Sequence, residues 1–578
     1  MKASDYIAYF LEAQGVKTVF EMSGGMITHM LDSMHQLTKI DIVSMHHEQS
    51  ASFAADAYAR ATGVPGVALA TSGPGATNML TGIASCYFDS VPGVFITGQV
   101  NTFELKADRP IRQLGFQETD IASMARPVCK ACFEVHDGAD LPQALEDAFR
   151  IALSDRPGPV LIDIPMNIQR VDIPAPAAFV RVARERMPHE LTPAVYEELA
   201  QALSEAKRPL ILVGRGVRAA FVTEAFRRFV HLVQVPVVSS LLAVDAMPYE
   251  DPLRVGYIGS YGNRWANKAL GESDFLLVLG ARLDIRQTGA DTAYFKEGRT
   301  IYHVDCDAGE INNRVLGCRP VVADLADFFE LAFRSYKADD FGPRPEWQTT
   351  LRDLQTEWAD TKEQPGITGI NPNEFMHSLS RGAGQQAAGY VADVGNHQQW
   401  AAQSLELGPK QVFLTSAGLG SMGYALPAAL GLCFGTNRQP VVMISGDGGF
   451  QMNIQELQTI AHHKLPIKLV VINNNCLGMI RQFQDSYFEG RHQSTVWGYS
   501  APDFTKVASA YGIAARTVAE ADIDSLDAAA AWLWQNPGEP ALLQVMVASD
   551  VNCYPKLAFG RPITEMEPFA KPLEMEGT

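Results

Sequence analysis

The sequence predicts an α/β protein of three doubly wound parallel-sheet domains in tandem. Short apolar runs alternate with helical stretches along the chain, the pattern that parallel sheets require. Two stretches, Pro174–Pro193 and Lys337–Asn373, show no clear period, and the second is rich in proline, glycine and charge; both read as connectors. The chain has 578 residues, room for roughly three to five domains of ordinary size. Expected boundaries are 1–172, 190–335 and 370–550, with a tail over 551–578.

In the first block, the strand signals Val67–Thr71 and Gly93–Thr97 alternate with helical stretches such as Ser50–Arg60. In the second, Pro209–Val213 runs into Gly214-Arg215-Gly216. In the third, Val441–Ser445 ends in Gly446-Asp447-Gly448-Gly449, and Lys468–Ile472 ends in Asn473-Asn474-Asn475. Gln411–Asn437 holds no charged residue, but five glycines and Pro427 argue against a membrane span. It reads as a buried loop running into a buried helix.

The net charge of -18 argues against a general nucleic-acid or membrane-surface binder. Met1-Lys2-Ala3-Ser4-Asp5 lacks the apolar core of a signal peptide. A cytoplasmic protein with free thiols is expected for its eight cysteines. Cys129 and Cys132 form a CxxC pair, and two ligands do not make a metal site.

The chemistry concentrates in the third block. Asp447 and Asn474 lie one βαβ unit apart, so both belong at the carboxyl ends of neighbouring parallel strands, where ligands bind. A carboxylate, an amide oxygen and a loop carbonyl suit magnesium, and the glycines let backbone approach phosphates. Gly418-Leu419-Gly420-Ser421-Met422-Gly423 satisfies GxGxxG, alone a weak nicotinamide signal. That reading needs an acid at the end of the next strand, and the nearest, Asp447, already belongs to the GDG motif.

GDG followed by the Asn pair resembles the thiamine-diphosphate motif. The resemblance implies that Asp447, Asn474 and the carbonyl of Cys476 hold Mg2+, with Gly446, Gly448 and Gly449 against the phosphates. Asp393-Val394-Gly395-Asn396-His397-Gln398-Gln399-Trp400 looks like the family's diphosphate loop, so Asn396 and His397 are expected to donate to phosphate. The Gly418–Gly423 loop would grip the aminopyrimidine, with Met422 as an apolar wedge and the Gly420 carbonyl facing the amino group.

Met45–Ser50 carries Glu48, and Thr71–Asn78 carries Gly73 and Asn78. Both resemble the pyrimidine domain of the acetohydroxyacid (acetolactate) synthases, and the likeness to their catalytic subunit spans nearly the whole chain. It implies a pyrimidine-binding first domain, a central FAD domain and a diphosphate-binding third domain. Glu48 is then the carboxylate that promotes the imino form of the cofactor. Gln99, Phe116, Gln117, Lys130 and Arg286 fall in substrate-pocket segments, Arg286 facing an acceptor carboxylate. Gly280–Gly289 has the form of the FAD segment, and Arg282, Asp305, Gly214, Gly259 and Gly262 are assigned to FAD. A homodimer or homotetramer follows, because Glu48 and the metal motif of one site come from different subunits.

The implied reaction is decarboxylation of a 2-oxo acid such as pyruvate and transfer of the two-carbon unit to a second carbonyl compound. Three positions depart from the family. Phe483 stands where Trp favours a 2-oxobutyrate acceptor, Ser260-Tyr261 replaces Met-His, and Ile285 replaces Asp. They open two alternatives, a larger ketone acceptor such as a keto-sugar nucleotide and a simple decarboxylase.

Overall fold

The computed structural model describes residues 1–186, 191–364 and 366–573. Part of the first connector, 187–190, lies outside the described residues. Three six-stranded sheets follow one another, every pairing in them parallel.

The first contains β1 (Thr18–Met22), β2 (Asp41–Ser44), β3 (Gly66–Ala70), β4 (Gly93–Gln99), β5 (Ala131–Glu134) and β6 (Pro159–Pro165), in the order β2-β1-β3-β4-β6-β5. The second contains β7 (Pro209–Val213), β8 (Val237–Ser239), β9 (Arg254–Tyr257), β10 (Phe275–Leu279), β11 (Thr300–Asp305) and β12 (Arg319–Val322), in the order β12-β11-β10-β7-β8-β9. The third contains β13 (Gly389–Ala392), β14 (Val412–Leu414), β15 (Val441–Gly446), β16 (Ile467–Asn473), β17 (Ala514–Val518) and β18 (Ala541–Met546), in the order β14-β13-β15-β16-β18-β17.

Counted within its own block, the third sheet repeats the strand order of the first. The central sheet instead has the order of the dinucleotide-binding fold. Its inner strands are buried on both faces, and Leu210, Ile211, Leu212 and Val213 of β7 are all inaccessible, as covered parallel sheets demand.

The first and third blocks share one apolar core. Helix Glu48–Thr62, rich in alanine, crosses helix Ala425–Gly435. Gly431 lets them touch: a Cβ there would sit 2.0 Å from the Ala54 carbonyl oxygen. Residues Ala425–Phe434 are all buried, which accounts for the uncharged stretch. Among the described residues no helix is long and apolar enough to cross a membrane.

The tail folds back over the central block. Arg264 donates to the Met566 and Glu567 carbonyls at 3.0 and 2.8 Å, and the Leu557 N–H donates to Ser260 O at 2.7 Å.

Candidate active site

In the third block β13 and β15 are neighbours, while β14 lies on the far side of β13. The loops after β13 and β15 therefore flank the point where strand order reverses, the place where open α/β sheets bind ligands. The loop after β16 lies alongside.

The three loops bring together polar groups that lack protein partners. Asp447 Oδ1 accepts from the Gly448 N–H at 2.9 Å, but Oδ2 is buried and unpaired. Burial pushes this carboxyl up to about 6, against the Gly448 N–H. Both amide atoms of Asn396 are buried without partners. The Asn396 and Asn474 Nδ2 atoms lie 2.8 and 2.6 Å from where a Gly478 Cβ would stand, so two amides converge on one glycine. Asn475 turns the chain at φ 51, and the Cys476 N–H donates to Asn474 Oδ1 at 3.3 Å.

Orphaned buried polar groups are rare in finished cores. A carboxylate oxygen beside an amide is the hard donor set that Mg2+ takes. Among the described residues no three His, Cys, Asp or Glu side chains converge to hold a metal, so the CxxC pair builds no such centre.

His397 does something other than expected. Its Nε2 accepts from the Gly446 N–H at 3.1 Å, and the ring also meets the Asp393 backbone. Burial pushes it down to about 3, so the ring is neutral and staples two loops. Gly395 and Gly446 leave room for it, since a Cβ at either would stand within 2.6 or 2.9 Å of the imidazole. Gly449 likewise makes room for Asp393, 3.0 Å away.

The loop after β14 lies opposite. Gly420 adopts φ 73 with open space around it, and Met422 Cε lies 3.4 Å from a Cβ placed on Gly448. Asp393 fixes the loop by accepting from the Gly423 and Ala425 N–H groups at 3.0 and 3.2 Å. The Asn453 amide donates to Gly423 O at 2.7 Å.

In the first block, His47 caps the helix that Glu48 begins. Asn78 Nδ2 donates to Glu48 Oε2 at 2.9 Å, and Gly75 admits Oε1. Asn78 thus holds the carboxylate. Gly73, at φ 66, backs onto Gln117, itself at φ 66. The neighbouring Phe116 is 81% exposed. Among the described residues no hydrogen bond joins Glu48 to the Asp447, Asn474 or Gly420 loops within one chain. Lys130 is turned away: its amine donates to the carbonyls of Ile151 and Ser154 at the end of helix Leu141–Leu153.

The central block holds a separate cavity of about 1100 Å³, counting its opening to solvent, ample for a large ligand. It lies at the ends of β7 and β10, where strand order reverses. Arg156, Arg184, Arg215, Arg282 and Arg286 line it, with Asp305 at the end of β11. Burial, aided by Arg60, pushes the Arg215 guanidinium down to about 10, so an anion would be welcome there. Burial pushes Asp305 up to about 6.

The glycines assigned to this site have a nearer task. A Cβ on Gly214 would meet Gly280 O at 2.2 Å, on Gly259 the Arg286 carbonyl at 2.5 Å, and on Gly262 the Ile258 carbonyl carbon at 2.5 Å. They let backbone pack on backbone around the cavity.

Sequence reasoning missed Asp393, Asn453, Asp89 and Arg156. Asp393 opens the diphosphate-loop segment, and its place at a strand end was a usable signal. The others carry no local motif.

These features define a protein that holds a diphosphate through a divalent cation and reserves a second pocket for a dinucleotide-sized anion. Models of the thiamine pyrophosphate enzymes match the chain in three parts: the N-terminal TPP binding domain over residues 1–124, the central domain over 196–331 and the C-terminal TPP binding domain over 393–545. The chain belongs to the thiamine pyrophosphate enzyme family. It is 36% identical over 568 residues to the acetolactate synthase of Arthrospira platensis, covering 96% of each chain. It is 35% identical over 567 residues to the large subunit of acetolactate synthase isozyme 2 from Escherichia coli K12, covering 98% of this chain and 99% of that one. It is an enzyme of the acetolactate synthase type, forming carbon–carbon bonds with thiamine diphosphate.

Proposed function

We propose that the chain is the catalytic chain of an acetolactate synthase, which decarboxylates pyruvate and joins the two-carbon unit to a second 2-oxo acid. The observation that carries this is the convergence of unpaired Asp447 and Asn396 groups at the strand ends, in a chain similar to acetolactate synthases along nearly its full length.

Thiamine diphosphate supplies, when bound, the carbon nucleophile and electron sink that a 2-oxo acid needs to lose carbon dioxide. The chain supplies the rest. Asp447, Asn474 and the Cys476 carbonyl hold Mg2+, and Asn396 with the Gly448 and Gly449 backbone holds the diphosphate. Met422 wedges the cofactor and the Gly420 carbonyl accepts from its amino group. Glu48, oriented by Asn78, manages a proton on the aminopyrimidine. Arg286 forms no ion pair among the described residues and receives the acceptor carboxylate, with Gln117 beside the reacting carbon. Neither His397 nor Lys130 keeps a direct role.

FAD fills the central cavity, its diphosphate against Arg215 and Arg156, its ribose toward Asp305. It serves structure, since the net reaction is not a redox one. A homodimer or homotetramer completes the site, and the exposed Phe103, Ile111, Leu114 and Phe116 form an apolar surface of the kind a partner covers. The eight free cysteines support a reducing cytoplasm. The larger-ketone and decarboxylase alternatives are not favoured, because the similar proteins are acetolactate synthases.

The test is a product assay with labelled pyruvate, thiamine diphosphate, Mg2+ and FAD, followed by carbon-13 NMR. Acetolactate from pyruvate alone is expected. Acetaldehyde alone, or no turnover, overturns the assignment.

A further inference from the structure

One loop serves both pockets. Ala417 and Gly418 form part of the wall of the central cavity. Met422, only four residues on, presses toward Gly448 beside Asp447. The start of the loop is held by Asp89, which comes from the first block and is 2% exposed. Asp89 Oδ1 accepts from the Gly418 N–H at 2.7 Å and Oδ2 from the Ala417 N–H at 3.2 Å. Its backbone carbonyl accepts from Arg215 Nε at 3.3 Å, and Arg215 lines the same cavity.

The arrangement is braced from behind. Arg60 donates to Asp89 Oδ2 at 2.9 Å, to Asp56 Oδ1 at 2.7 Å and to the Thr415 carbonyl at 3.2 Å. Tyr424, just past the loop, donates to Asp56 Oδ1 at 2.6 Å. A Cβ on Gly418 would stand 2.7 Å from Phe88 Cβ and 2.9 Å from Asp89 Oδ1, so the contact is closely fitted. Three blocks therefore meet at one carboxylate.

We propose that Asp89 is a positioning residue that couples the two cofactor sites: an anion held by Arg215 fixes Asp89, Asp89 fixes the head of the 417–423 loop, and the loop presents Met422 and Gly420 to the other cofactor. The inference rests on FAD filling the cavity and thiamine diphosphate binding at the loop. It gives a flavin that undergoes no redox step a task, to order a loop it does not share chemistry with. Coupling between sites is reciprocal in free energy, so each cofactor must tighten the other by the same factor.

The experiment measures FAD affinity by flavin fluorescence with and without thiamine diphosphate and Mg2+, and thiamine diphosphate affinity by calorimetry with and without FAD, on the full chain. Each Kd is expected to fall by at least about fivefold in the presence of the other cofactor. In Asp89→Asn the factor collapses toward one while each cofactor alone still binds and sedimentation gives the wild-type oligomer. A merely structural residue would weaken both affinities and leave the factor intact. If the exposed charge of Arg60 prevents Asp89→Asn from folding, Gly418→Ala lifts the loop off Asp89 without unpairing a charge, and the same collapse is expected. Wild-type protein that binds both cofactors independently overturns the coupling and leaves the functional reading standing. Failure to bind either cofactor overturns that reading itself. An unchanged factor in the variants overturns the role of Asp89.

Discussion

The first and third blocks share one strand order, yet their strand ends are finished differently. In the third block, Asp447 Oδ2 and both amide atoms of Asn396 are buried without partners. In the first, Asn78 meets Glu48, while Thr97 and Gln99 both donate to Asp163. One scaffold has thus been tuned to opposite ends. The third block leaves polar groups open for a ligand, and the first completes its own hydrogen bonds and presents one carboxylate. Strand order does not carry that difference; the side chains grafted on the loops do.

The sharpest test separates presenting from holding. Glu48→Gln keeps the Asn78 contact but cannot exchange the proton. Turnover should fall by about 10²–10⁴-fold while thiamine diphosphate affinity stays within about threefold, as for loss of a general acid–base group. Affinity falling in step with turnover would make Glu48 a binding residue and erase the contrast.

Asp447→Asn should do the reverse. Outer partners of a metal ligand already cost about 10–100-fold in affinity, so loss of the ligand should weaken Mg2+-dependent thiamine diphosphate binding by more than about 100-fold. Calorimetry with and without Mg2+ reads this directly. Unchanged affinity would move the cation elsewhere.

Much of this was legible in the sequence, for reasons that also explain what was not. Apolar alternation marked the sheets, and Pro209–Val213 is observed as read. GDGG and the Asn run are local in sequence, so they could be found by spacing. The shared strand order could not, because it is written in pairings between distant strands. Residue type also does not say which neighbour claims a side chain. His397 was expected to reach phosphate, but the Gly446 N–H and the Asp393 backbone claim its ring. Asn78 was expected on the cofactor and binds Glu48 instead. Lys130 caps a helix, and Gly214 is required by Gly280. Asp89 had no signal at all, because its partners lie more than a hundred residues away.

Acceptor choice comes next in size. Phe483 is 40% exposed and packs on Tyr487 at 4.8 Å between ring centroids, so a larger ring has room to grow outward. Phe483→Trp should raise the preference for 2-oxobutyrate over pyruvate as acceptor by roughly tenfold, the usual worth of an apolar contact in discrimination. Competition between the two acids, with both products quantified, reads the ratio. No change would place the acceptor away from this helix.

The smallest effect tests the first block's self-sufficiency. Asp163 is 7% exposed. Burial pushes its carboxyl from 3.8 up to about 7, against the Thr97 and Gln99 donors. The folded state therefore binds more protons than the unfolded state between about pH 4 and pH 7, and stability from this group is lost as pH rises through that window. Asp163→Asn has no proton to lose. Its melting temperature should rise relative to wild type as pH goes from 5 to about 7 and then level off. A difference that stays flat across that range would mean that Thr97 and Gln99 hold Asp163 as a fully compensated anion. The first block would then resist charge at its strand ends as well as the third block does with its cation.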